Sequence, residues 1–115
     1  MSTTIYHNPR CSKCRQALQL LDENGVAPEV IEYLKTPPSK TELIKLLKML
    51  KLKPRELMRA KDDLYRELNL DDPTLSDDDL IKAMAAHPAL IERPIVVHNG
   101  KAVIGRPPEK ILEIL

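Results

Sequence analysis

The 115-residue chain has no tryptophan and no phenylalanine, and only three tyrosines. Proteins that bind single-stranded nucleic acid by stacking need a set of aromatic faces, so no nucleic-acid partner is expected. Long apolar runs are missing too. None approaches the ~20 residues that cross a bilayer, and no apolar leader opens the chain, so a soluble, cytoplasmic protein with no membrane partner is expected. Cysteine is scarce, with two residues, and histidine contributes three. A structural zinc takes four ligands and there is no second Cys-x-x-Cys, so no metal site is expected. In the cytoplasm an exposed disulfide is more often transient and catalytic than structural.

What remains is a globular composition, 43% hydrophobic and 30% charged, long enough for one domain. Its core must be built from Leu, Ile, Val, Ala and Met. The net charge is only +1 but unevenly spread: Asp62 to Asp79 holds eight acids and one base, whereas Lys40 to Lys61 holds eight bases and two acids. This split fits two solvated helix faces of opposite sign, or a field that draws small anions or an acidic partner to one side.

Thr4 to His7 is β-prone and ends at the turn dipeptide Asn8-Pro9. Cys14, Ala17, Leu18 and Leu21 recur at helical spacing between Cys11 and Asn24, with Gly25 as the stop. Glu29 to Leu34 reads as a second strand, completing a parallel βαβ unit. Ser39 and Glu42 make a capping box for a helix whose apolar stripe is Leu43, Ile44, Leu46, Leu47 and Leu50. Short helical segments are predicted over Pro54–Arg59 and Asp63–Leu68. Another helix, capped by Ser76 with Asp79, carries Leu80, Ile81, Met84 and Ala85. Pro94–His98 and Lys101–Ile104 flank Asn99-Gly100, a strong hairpin signal, and a last helix is predicted over Glu109–Leu115. A βαβ half and a ββα half on one mixed sheet, with an all-helical insertion over about 39–88, is the thioredoxin-like α/β arrangement.

In that arrangement His7-Asn-Pro-Arg-Cys-Ser-Lys-Cys-Arg15 lies where the fold keeps its redox chemistry. Cys11 falls at a helix N-terminus, where unpaired N–H groups and the helix dipole favour a thiolate. Arg10, Lys13 and Arg15 add cations, and His7 adds one when protonated. The same features make a receptor for an oxyanion, with Arg15 among its ligands. Cys14, one turn on, is expected to be more buried and less acidic. It is either a resolving thiol that closes a disulfide onto Cys11 or a small apolar packing residue. Arg59, Arg93 and Arg106 stand at the end of a helical segment, before a strand and after the hairpin. Each is a surface ion-pair partner or an oxyanion fork. In thioredoxin-like folds the proline before that strand, here Pro94, is typically cis.

Tyr6-His-Asn-Pro-Arg-Cys11, Tyr33-Leu-Lys-Thr-Pro-Pro38, Leu57-Met-Arg59, Ile91-Glu-Arg-Pro-Ile-Val-Val97 and Gly105-Arg-Pro-Pro108 resemble the signatures of the glutaredoxin-dependent arsenate reductase (ArsC) family. The resemblance runs nearly end to end. It implies a nucleophilic Cys11, tuned by His7, with arsenate held by Arg59, Arg93 and Arg106. It further implies glutathione as co-substrate, glutaredoxin as partner and no bound cofactor. Family members usually have Ser or Thr where Cys14 stands. A Cys-x-x-Cys at this position is also similar to thiol-switch regulators of the Spx type, which bind RNA polymerase, and it suits a general thiol–disulfide oxidoreductase.

Overall fold

A computed structural model describes residues 2–115. It comprises two compact units, one made of the chain up to Thr36 together with Arg93–Leu115, the other of Pro37–Glu92.

The first unit is built on a four-stranded sheet in the order β2-β1-β3-β4. Strand β1 (Thr3–His7) is central and alternates Thr3, Ile5 and His7 inward. Strand β2 (Glu29–Glu32) runs parallel to it, with Ile5 opposite Val30 and His7 opposite Glu32. On the other side β3 (Ile95–His98) is antiparallel to β1, and β4 (Lys101–Ile104) is antiparallel to β3. Asn99 and Gly100 take φ values of 50° and 77°, the two positive angles that a tight type I′ hairpin turn needs. This is a thioredoxin-like sheet, with its parallel half first and its hairpin last.

Helix α1 (Ser12–Glu23) turns Cys14, Ala17 and Leu21 inward. Ala17 and Leu21 join Ile5, Val96 and Ile111 in a fully buried core. The helix ends at Asn24, and Gly25 takes φ +72°, the left-handed conformation glycine adopts at least cost.

The second unit is helical. Helix α2 (Lys40–Leu50) begins with the Ser39–Glu42 capping box and α4 (Asp77–Ala86) with the Ser76–Asp79 box, both as the sequence predicts. Between them lie a 3-10 turn at Pro54–Leu57 and the short α3 (Asp63–Glu67). Leu43, Leu57, Met84 and Leu90 are fully buried. Arg55 ties this region together, donating to the Tyr65 hydroxyl and to the carbonyls of Leu70 and Asp72.

Several elements differ from the sequence expectation. The terminal segment is a 3-10 helix over Pro108–Glu113 rather than an α-helix over Glu109–Leu115. Two prolines at its start remove donors, and so short a piece does not offset the cost of an α-helical nucleus. Strand β2 stops at Glu32, because Lys35 and Thr36 both donate to the Glu32 carbonyl and turn the chain. The segment predicted over Pro54–Arg59 ends at Leu57, where Met58 becomes extended and bridges to Ile91. Ile44, assigned to the apolar stripe of α2, is exposed.

Candidate active site

The site is organised by the turn between β1 and α1. The Asn8 side chain accepts from the Arg10 N–H at 3.0 Å, and its carbonyl accepts from the Cys11 N–H at 2.9 Å. Its own backbone N–H favours the Cys14 thiolate. Asn8 was visible in the sequence only as half of a turn dipeptide, yet it holds the backbone that presents both sulfurs.

Cys11 is the N-cap of α1, and no acidic residue occupies the first turn of that helix to compete for its N–H groups. The thiol is free, and the residue is 8% exposed. Burial raises its pKa, but the Cys14 backbone N–H, the Arg93 guanidinium and the Cys14 thiol together outweigh burial and bring it down to about 7. Arg106 presents Nη2 to the Cys11 sulfur at 3.9 Å. Cys14, also free, is fully buried, and burial pushes its thiol up to about 11, with the Cys11 charge adding to the rise. One thiol is poised to ionise near neutrality while its neighbour stays protonated.

Arg93 and Arg106 meet because of the hairpin. Its register pairs Ile95 with Ile104, and beyond that pair the Gly105 N–H donates to the Pro94 carbonyl at 2.9 Å. Arg106 Nε then donates to the Arg93 carbonyl at 2.6 Å. Both the Arg93–Pro94 and Arg106–Pro107 peptides are cis. A side chain at Gly105 would place its Cβ 3.1 Å from Pro94 Cγ and 3.3 Å from Ile111 Cδ1, so the close approach of the two strands here depends on glycine.

The other candidates have different surroundings. His7 is buried, and its Nδ1 has no hydrogen-bond partner among the described residues. Burial lowers its pKa and Arg15 adds to this, while Glu32 opposes. His7 is therefore the neutral imidazole at pH 7, so the cations beside the sulfur are arginines. With Arg10, Glu32 and Lys35 it lines a cleft of about 460 Å³. Arg15 is exposed and donates to the Pro9 carbonyl at 2.8 Å. Arg59 belongs to the helical unit, where Nε meets Asp62 at 2.7 Å and Nη1 meets Glu92 at 2.8 Å. Among the described residues no group of three or more His, Cys, Asp or Glu is placed to hold a metal. None of the described helices is long and apolar enough to cross a membrane.

A thiol of lowered pKa at the start of the first helix, on a mixed sheet whose third strand follows a cis-proline, defines a thioredoxin-like fold. The ArsC family model matches residues 6–114, and the chain belongs to that family. It is 62% identical over 112 residues to YfgD, an uncharacterised protein of Escherichia coli K-12, covering 96% of this chain and 94% of that one. It is 57% identical over 112 residues to an arsenate reductase of Neisseria meningitidis serogroup A, covering 96% of each. The structure of an arsenate reductase from Vibrio cholerae superposes with a TM-score of 0.98 at 60% identity, covering 100% of this chain and 98% of that one.

Proposed function

We propose that the protein is an arsenate reductase in which Cys11 is the nucleophile. The observation that carries this reading is the Cys11 sulfur, held at a helix N-terminus with a pKa of about 7 and with Arg93 and Arg106 turned to it. A thiolate beside guanidinium forks is what attack on a tetrahedral oxyanion needs, because the forks neutralise the charge that would repel the nucleophile. The names of the Neisseria and Vibrio relatives agree with it.

In this mechanism the Cys11 thiolate attacks arsenic, an S–As bond forms, and one arsenate oxygen leaves as water after taking up protons. Arg93 and Arg106 hold the remaining oxygens. The resemblance adds Arg59 as a further ligand, and Arg15 contributes charge from the first turn of α1. A second thiol then attacks the Cys11 sulfur. An S–S bond forms, the S–As bond breaks, and arsenic keeps the electron pair and departs as arsenite. The two electrons come from thiols, with glutathione and glutaredoxin as external donors in the cytoplasm, and no bound cofactor takes part. His7, neutral and buried, adds no positive charge to the site.

The test is arsenate-dependent oxidation of NADPH in a glutathione and glutaredoxin recycling assay. Wild type turns over, and Cys11→Ser loses at least ~10³-fold, as removal of a nucleophile does. Turnover retained by Cys11→Ser, or absent from the fully reduced wild type, would falsify the reading.

A further inference from the structure

The attack on the Cys11 adduct needs a second thiol, and the fold already holds one. Cys11 and Cys14 are the N-cap and the third residue of α1, so they lie on one face of its first turn. Both are free, and no cysteine other than these two exists in the chain. The Asn8 backbone binds both ends of this turn, through its carbonyl to the Cys11 N–H and through its N–H toward the Cys14 sulfur. Cys14 is fully buried beside it.

We infer that Cys14 is the resolving thiol of the proposed arsenate reduction, closing a Cys11–Cys14 disulfide that expels arsenite without an external thiol in that step. The inference rests on the reductase reading. The Cys14 sulfur bonds to the Cys11 sulfur, the S–As bond breaks with its electron pair going to arsenic, and the Cys14 proton passes to an arsenite oxygen. Two thiols are oxidised to one disulfide, and arsenic(V) becomes arsenic(III). A thiol reductant such as glutathione with glutaredoxin then reopens the disulfide by exchange.

The order of events is built into the pair. Before substrate binds, the charge on Cys11 helps to hold the Cys14 proton in place. Once Cys11 is bonded to arsenic, its sulfur carries no such charge. That contribution disappears, while the Asn8 N–H continues to favour the Cys14 thiolate. The Cys11 share of the rise is thus gone at the stage at which Cys14 must attack. Before that stage, its high pKa keeps it from competing with Cys11 for arsenate.

The test is a single turnover of reduced, desalted protein with arsenate under anaerobic conditions and no added thiol. Wild type yields about one arsenite per chain, loses both titratable thiols, and loses the mass of two hydrogens as a Cys11–Cys14 disulfide. Cys14→Ser and Cys14→Ala, compared with wild type by thermal melting to confirm folding, yield no arsenite in this assay. Arsenite from wild type only when glutathione is supplied, at a rate matched by Cys14→Ala, would overturn the resolving role and leave the reductase reading standing. No arsenite from wild type even with glutathione and glutaredoxin would overturn both.

Discussion

The arginines of the sheet unit and those of the helical unit meet different partners. At the base of the hairpin, Arg106 gives Nε to the Arg93 carbonyl and turns Nη2 to the Cys11 sulfur. In the helical unit, Arg59 gives Nε to Asp62 and Nη1 to Glu92, Arg66 meets Asp63, and Arg55 donates to a hydroxyl and two carbonyls. A carbonyl orients a guanidinium without neutralising it, so the bond from Arg106 to Arg93 aims a cation at the sulfur. Bonds to a carboxylate spread the same charge over an ion pair, and bonds to several backbone carbonyls make a structural tie. Residue type alone does not separate these roles; the geometry of the segment that presents each arginine does.

Substitutions at three positions test that contrast. Arg106→Ala has the largest expected effect: kcat/KM for arsenate falls ~10²-fold, the scale for removing one preorganised donor. Arg106→Lys keeps the charge but loses the fork, and recovers only part of that loss. Gly105→Ala comes next. Its methyl group meets the rigid Pro94 ring, and overpacking of this kind costs about 2 kcal/mol by denaturant unfolding. Activity falls with stability there, since the strand pairing that carries Arg106 must shift. The smallest effect belongs to Arg55→Ala, which removes the tie to Tyr65, Leu70 and Asp72 and lowers stability by about 1 kcal/mol. An Arg55→Ala change as damaging to arsenate kinetics as Arg106→Ala would break the contrast.

Much of this architecture was legible in the sequence, for local reasons. Ser39 with Glu42, Ser76 with Asp79, and Asn99-Gly100 each encode their structure within a few residues, and each is found where its chemistry puts it. The terminal segment differs because proline in a first turn suits an α-helix and a 3-10 turn alike, and its short length decides for the 3-10 turn. At the site, the N-terminal position of Cys11 followed from the periodicity of α1. The meeting of Arg93 and Arg106 was also latent in the sequence. Counting outward from a two-residue turn at Asn99-Gly100 sets residue 95 against 104, and two steps further sets 93 against 106. What no such count supplies is the turn of the Arg106 side chain onto sulfur, or the grip of Asn8 on both cysteines. Those depend on how β1 lies beside β3, a contact between segments some 90 residues apart in the chain. The neutral state of His7 was hidden for a similar reason, since burial and the nearby Glu32 and Arg15 decide it.

Two thiols three residues apart ionise very differently in this site. The most direct measurement is the pH dependence of alkylation of each cysteine in the reduced wild-type protein, resolved by peptide mass. Only the thiolate reacts, so Cys11 should be modified with a midpoint near pH 7, while Cys14 stays unmodified until the pH nears about 11. Both cysteines titrating together near ~8.5, the value of an unperturbed thiol, would contradict the central claim that the helix N-terminus and its arginines make Cys11 the nucleophile.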